Sequence, residues 1–290
     1  MIGKPFGRAR RREISAFGKA IVLGKNGMGR RSAPPERNTP PKMKEGNTMR
    51  QTENTAIVLR YANYRDNDRM LTLLSPTRGR IEALSRGCRR PKSPLLNASE
   101  LFALGDYELY ERGGHMTVTG CTLIETFYPL RADFDRLACG TYLLNLAEAA
   151  AQPGEEEQEL FMLLLHTLSR LTFSDQEWKP LLAGFLLHYA ACEGTKPRLN
   201  HCVRCQRRLE DGEQVYFDLT EGGLCCQGCH TREQTALAAA QARWMRQALQ
   251  GGASTWVNQP DCYAPFTLLR AFVEGRVDRP LRAAAMLPKD

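Results

Sequence analysis

Residues 69–85 read RMLTLLSPTRGRIEALS. Arg69–Ser75 and Arg80–Ser85 are short and rich in apolar residues. The five residues that join them, Ser75-Pro76-Thr77-Arg78-Gly79, carry a proline that pre-sets φ and a glycine free to take positive φ. This pattern predicts a β-hairpin, and the reading extends outward from it. Thr55–Tyr61, Leu101–Tyr110 and Met116–Phe127 are further strand-like runs, with Gly113-Gly114 turning the last two into a second hairpin. Between the hairpins, Arg86–Asn97 holds Gly87, Pro91 and Pro94 and cannot be a regular strand. Five strands with a long third-to-fourth connection predict a small closed barrel of the OB type.

Beyond Pro129 the apolar period changes from two to between three and four. Leu137, Leu144, Ala147 and Ala151 share one helical face; Leu160, Leu164, Leu168 and Leu171 line a second helix after the Pro153-Gly154 break. Ser174-Asp175-Gln176-Glu177 has the order of a capping box and predicts the start of a third helix, through Leu181, Phe185 and Tyr189 to near Gly194. Thr231–Gln250 reads as a further helix ended by Gly251-Gly252, and Phe266–Val273 as a last amphipathic piece. The expected fold is α+β multidomain: an N-terminal OB-type β-barrel over 49–130, then a helical bundle domain over 131–290 with a cysteine module inserted at 200–231.

The chain has 290 residues, 42% hydrophobic and 25% charged, enough for a real core, so a disordered chain and a small disulfide-stapled scaffold are both excluded. No run of about 18 apolar residues and no export signal stands out, which predicts a cytosolic protein with reduced thiols. The formal net charge of +8 is unevenly spread. Residues 1–48 hold twelve basic residues against Glu13, Glu36 and Glu45, a net of +9, so the remainder is close to neutral at −1. With few large apolar side chains and the pairs Pro34-Pro35 and Pro40-Pro41, this segment is expected to be disordered. It reads as a basic nucleic-acid tail, an arginine-rich targeting segment, or an over-extended start with Met49 as the true first residue; the last is preferred, because strand-like pattern begins just after Met49.

Cys202-Val203-Arg204-Cys205 and Cys226-Gln227-Gly228-Cys229 are two C-x-x-C knuckles twenty residues apart. Each presents two thiolates from one tight turn, and two knuckles complete a tetrahedral Zn²⁺ site. Four protein ligands leave no open position for water, which makes the metal structural, one per chain. Val215–Leu219 with Gly222-Gly223 looks like the hairpin of a zinc ribbon. Cys225 is an alternative to Cys226, and His201 or His230 to a lost thiolate. No phosphate-binding glycine loop, H-E-x-x-H, G-x-S-x-G or dinucleotide fingerprint occurs, so nothing points to an enzyme. His188 reads as a structural histidine within its helix.

Between positions 78 and 92, Arg78, Arg80, Arg86, Arg89, Arg90 and Lys92 face Glu82 alone, a local +5. On a barrel of this type such cations would neutralise phosphates, with aromatics stacking on bases; Tyr61, Tyr64, Tyr107 and Tyr110 are the candidates. A solvated cationic loop without a partner is the other reading. Arg65 and Arg69 are weaker candidates, since Asp66 and Asp68 between them can pair with them.

Taken together the motifs resemble the RecO family of bacterial recombination mediators over essentially all of residues 52–285. The resemblance rests on Thr55-Ala56-Ile57-Val58-Leu59, on Asn67 to Leu74 with Gly79-Arg80-Ile81, on Ser85-Arg86-Gly87-Cys88-Arg89-Arg90-Pro91-Lys92-Ser93, on Pro197-Arg198-Leu199 before the first knuckle, and on Arg279-Pro280-Leu281-Arg282. It implies an OB barrel, a helical domain and an inserted zinc module. It also implies binding of single- and double-stranded DNA, annealing of complementary strands, and work with RecR to load RecA, indirectly, on DNA coated by single-stranded-DNA-binding protein. Arg80, Arg86, Arg89, Arg90 and Lys92 become the DNA contacts, and Cys202, Cys205, Cys226 and Cys229 the zinc ligands. Gln206 departs from the family, which often has glycine there. The alternative from another class is a zinc-ribbon and OB module that binds RNA or serves the transcription machinery.

Overall fold

The computed structural model describes residues 50–260 and 262–288. The segment 1–48, with the disorder expected of it, lies outside the described residues.

Strands β1 (Arg50–Tyr64), β2 (Asp68–Ser75), β3 (Gly79–Ser85), β4 (Leu104–Arg112) and β5 (His115–Glu125) close into a barrel in the order β1-β2-β3-β5-β4. Every neighbouring pair is antiparallel except β3 with β5. This is the OB arrangement. β1 is longer than the sequence predicts because two partners share it: Arg50 to Ile57 pair with β4, and Ile57 to Tyr64 with β2. β4 begins three residues later than expected, at Leu104, and β5 ends at Glu125.

The run Ala56-Ile57-Val58-Leu59 is buried on both faces, and the two faces serve different cores. Ala56 and Val58 point into the barrel with Leu71, Leu73, Ile81, Ala83, Tyr107 and Leu109. Ile57 and Leu59 join Leu74, Phe102 and Leu104 against the helices. Each of the valine, leucine, isoleucine and phenylalanine side chains among these, fully buried, contributes about 1.5–3 kcal/mol relative to exposure. The barrel is further tied to the helical part through backbone. Glu157 N donates to Pro76 O at 3.0 Å, Gly154 N to Arg78 O at 3.0 Å, and Arg80 N to Gln152 O at 3.0 Å. Gly79 sits inside this seam at φ +59°, where a Cβ would lie 2.0 Å from Gln152 O, so neither the conformation nor the space admits a side chain.

Helices α1 (Phe134–Ala150), α2 (Gln158–Phe173) and α3 (Trp178–Cys192) follow. The expected capping box is not formed. Ser174 instead ends α2, its hydroxyl donating to Arg170 O at 2.7 Å, and α3 starts only at Trp178 without a side-chain cap. A serine can serve either helix end, and here the upstream carbonyl took it. After Gly194, at φ +70°, the chain enters the inserted module. There β6 (Val215–Asp218), β7 (Gly223–Cys226) and β8 (Thr235–Leu237) form a sheet in the order β7-β6-β8. The helix predicted over Thr231–Gln250 is thus corrected: its first part is strand β8, and α4 runs only over Ala239–Gln250. Thr235, Ala236 and Leu237 pair with the open edge of β6, and those bonds outweigh a helical preference.

The module is not a separate body. Phe217 packs edge-on against Phe272 of α5 (Phe266–Glu274), their centroids 5.3 Å apart, and one buried core runs from the barrel's outer face through the helices to the ribbon. His188 is structural, its Nε2 at 2.9 Å from Ala248 O and its ring beside Trp256. Among the described residues no helix is long and apolar enough to cross a membrane.

Candidate nucleic-acid interface and metal centre

The six cations picked out in the sequence fall into two groups. Arg78 and Arg80 lie at the start of β3, and Arg86 follows its last residue, so the strand holds them roughly 20 Å apart at about 3.3 Å per residue. Arg78 is committed within the protein: Nη1 donates to Thr52 Oγ1 at 3.3 Å, and Nη2 is 3.8 Å from Glu111 Oε2. Arg80 is half-buried at the seam with the helical part. The loop behaves differently. Arg86, Arg89, Arg90 and Lys92 are all exposed, and among the described residues none of them has an ion-pair partner.

The loop is nonetheless fixed. Cys88 and Leu95 are buried in the barrel core and plug its end, with the arginines on the opposite side of the same turns. The β1–β2 turn holds it from outside: Arg89 N donates to Asn67 O at 3.0 Å, Gly87 N to Asp68 Oδ1 at 2.7 Å, and Arg89 Nη1 to Asp66 O at 3.1 Å. Asp68 therefore anchors backbone. The pairing of Asp66 and Asp68 with Arg65 and Arg69 considered from the sequence is not what forms. Arg69 instead bonds Glu100 at 2.7 Å and Ser99 O at 2.8 Å and lies over the Tyr61 ring at 3.9 Å. Arg65 is exposed and unpaired among the described residues. The role of Asn67 and Asp68 escaped sequence reading, because the residues they bond, Arg89 and Gly87, lie 22 and 19 positions away in sequence.

Of the four tyrosines, Tyr107 is out of reach, fully buried with its hydroxyl donating to Ala98 O at 2.8 Å. Tyr61 is covered by Arg69, and Tyr110 is half-buried. Tyr64 is exposed, at the end of β1 beside the loop.

In the inserted module, Cys202, Cys205, Cys226 and Cys229 bring their four Sγ atoms within 4.8 Å of one another. A tetrahedral Zn–S bond of about 2.3 Å implies S···S edges of about 3.8 Å, and Cys205 Sγ lies 3.8 Å from Cys226 Sγ. The donor set fits the metal electrostatically as well. Burial pushes the Cys202 thiol up, yet the amide hydrogen bonds of Cys205, Cys226 and Arg204 outweigh it and bring the thiol down to about 6. Cys229, bonded to the sulfurs of Cys205 and Cys226, is pushed up to about 12. Four thiols this close cannot all ionise unaided, and a divalent cation is what removes the repulsion. Cys225 faces Cys202 at 3.8 Å but stands outside the cluster, as do His201 and His230; the latter stacks on Tyr216 at 3.9 Å. Gln206, in the position where the knuckle turns, takes φ +62°, and its N–H reaches Cys202 O at 3.0 Å. All ten cysteines are free of disulfides.

The fold and the site define a class of protein: a five-stranded OB barrel with an anchored cationic loop, joined to a helical bundle that carries a four-cysteine ribbon. Residues 49–127 match the model of the recombination protein O N-terminal domain and residues 131–285 that of its C-terminal domain. The chain is 32% identical over 248 residues to a protein of Anaeromyxobacter dehalogenans named DNA repair protein RecO, covering 82% of this chain and 96% of that one. Proteins of the same name from Alkaliphilus metalliredigens and Moorella thermoacetica are 35% and 31% identical, over 60% and 69% of this chain and 70% and 71% of theirs. The chain belongs to the RecO family, whose setting is DNA repair and recombination.

Proposed function

We propose that the chain is a DNA-binding recombination mediator. In this reading residues 49–130 form the DNA-binding domain and 131–290 the helical domain, and Arg86, Arg89, Arg90 and Lys92 neutralise the backbones of single- and double-stranded DNA. The observation that carries it is the group of exposed cations without ion-pair partners among the described residues, on a loop pinned to the barrel at Cys88, Leu95 and Asp68. A solvated loop without a partner has no need of three separate anchors. Arg80 contributes at the other end of β3, and Arg78 serves the fold more than the ligand.

Annealing requires no bond chemistry. Cations screen two mutually repelling strands, leave the base edges free, and base pairing supplies the driving force. Together with RecR the protein would give RecA access to strands coated by single-stranded-DNA-binding protein, in the bacterial cytoplasm at the nucleoid. One structural Zn²⁺ held by Cys202, Cys205, Cys226 and Cys229 supplies folding energy to the ribbon.

The test is a double substitution, Arg89→Glu with Arg90→Glu. Reversing two contacts should weaken DNA binding by at least about tenfold at moderate salt with the fold retained, since both side chains are exposed and Arg89 gives up only its Nη1 bond to Asp66 O. An anisotropy titration that shows unaltered affinity removes the loop from the site. Displacement of labelled single-stranded DNA by RNA of the same sequence at equal concentration would move the function to RNA.

A further inference from the structure

We infer that Tyr64 is the stacking residue of this interface and gives it a preference for single strands over duplex. The inference rests on the reading that the loop binds DNA, and adds to it a chemical selectivity that cations alone cannot have. Phosphates are present in both forms of DNA. An accessible base face is present only in the single strand, because a duplex keeps its bases stacked on one another.

Three observations converge on Tyr64. It is the last residue of β1, and the turn that follows it, Arg65 to Asn67, is the one bound to the cationic loop through Arg89 N to Asn67 O at 3.0 Å and Arg89 Nη1 to Asp66 O at 3.1 Å. The backbone that follows Tyr64 and the cationic loop are therefore held together. The Tyr64 side chain is 42% exposed, whereas Tyr107 is fully buried, Tyr61 is half-buried against the barrel core, and Tyr110 is half-buried on the barrel wall. Finally, Arg65 holds φ +55°, a left-handed conformation uncommon for an arginine, which carries its guanidinium back over the Tyr64 ring at 5.2 Å from the centroid. An exposed tyrosine with an arginine over one face, next to the turn that binds the loop of Arg86, Arg89, Arg90 and Lys92, has the composition of a base-stacking platform beside phosphate contacts.

The consequence reaches the reaction. A strand held by stacking on Tyr64 loses that contact when its bases pair, because the base face is then sealed within the duplex. Phosphate contacts alone remain, so annealing removes the stacking contribution and favours release of the product.

The test uses the full-length chain with oligo(dT), which forms no internal pairs, and a blunt duplex of the same length, about 25 nucleotides, each followed by anisotropy. Tyr64→Ala should weaken oligo(dT) binding by about tenfold and duplex binding by less than about twofold, and Tyr64→Phe, which keeps the ring, should bind both as the parent does. Arg89→Glu with Arg90→Glu should weaken both ligands. If that double variant acts on both while Tyr64→Ala acts on both equally or on neither, the stacking role is overturned and the interface stands. If the double variant acts on neither, the interface itself is lost and the inference with it.

Discussion

Gln206 shows what a single backbone position can cost. It closes the first knuckle at φ +62°, a conformation that strains a residue with a Cβ by about 1–2 kcal/mol and a glycine hardly at all. Gln206→Gly should therefore raise stability by about 1 kcal/mol, less the entropy glycine loses on folding, and leave the metal content unchanged; a melting curve moved downward would contradict the strain. The departure from glycine was visible in the sequence, but its φ was not. The same divide runs through the interface residues. The four cysteines were legible because C-x-x-C spacing encodes a turn whose geometry is nearly invariant. Tyr107 and Tyr64 could not be told apart, because which face of a barrel strand points inward depends on register with partners far along the chain. Arg78 was legible as a cation and not as a partner of Thr52 and Glu111, which lie 26 and 33 positions away in sequence.

Among the elements, the hairpin of β2 and β3 and its glycine turn were readable locally, since Pro76 and Gly79 each have one conformational use. The two failures were both competitions. Ser174 could cap the helix ahead or close the helix behind, and Thr235–Leu237 could extend a helix or complete a sheet; the first was decided by the local carbonyl of Arg170, the second by the distant edge of β6. The second outcome has an energetic consequence. With β8 on the edge of β6 and Phe217 against Phe272, the ribbon shares its core with α5. Replacing Cys202 and Cys205 together by Ala should release the metal and also lower the melting temperature of the bundle by roughly 10 °C, the equivalent of a few kcal/mol in a chain this size. Mass spectrometry under native conditions checks the first, and calorimetry the second. A variant that keeps one zinc per chain would contradict the ligand set, and one that loses zinc with no change in melting would contradict the shared core.

In the molecule as a whole, the seam around Gly79 and the core that spans Ile57, Leu59 and the helices make the barrel and the bundle one support for the cationic loop. The loop moves with the barrel because Cys88 and Leu95 are part of the barrel's interior. A fixed group of exposed cations is suited to hold one strand while a second pairs with it, and annealing by this route must then be strongly salt-dependent. Four phosphate contacts give a slope of about −3 in log affinity against log salt on single strands, or a loss of about fiftyfold between about 50 and 200 mM salt. The most direct measurement is therefore the rate at which the full-length, zinc-loaded chain anneals complementary oligonucleotides across a salt series, on bare strands and on strands coated with single-stranded-DNA-binding protein. Annealing that persists on the coated strands and falls with salt at about that slope is the expected result. A folded, zinc-loaded protein that anneals neither form of DNA, or does so without regard to salt, would contradict it.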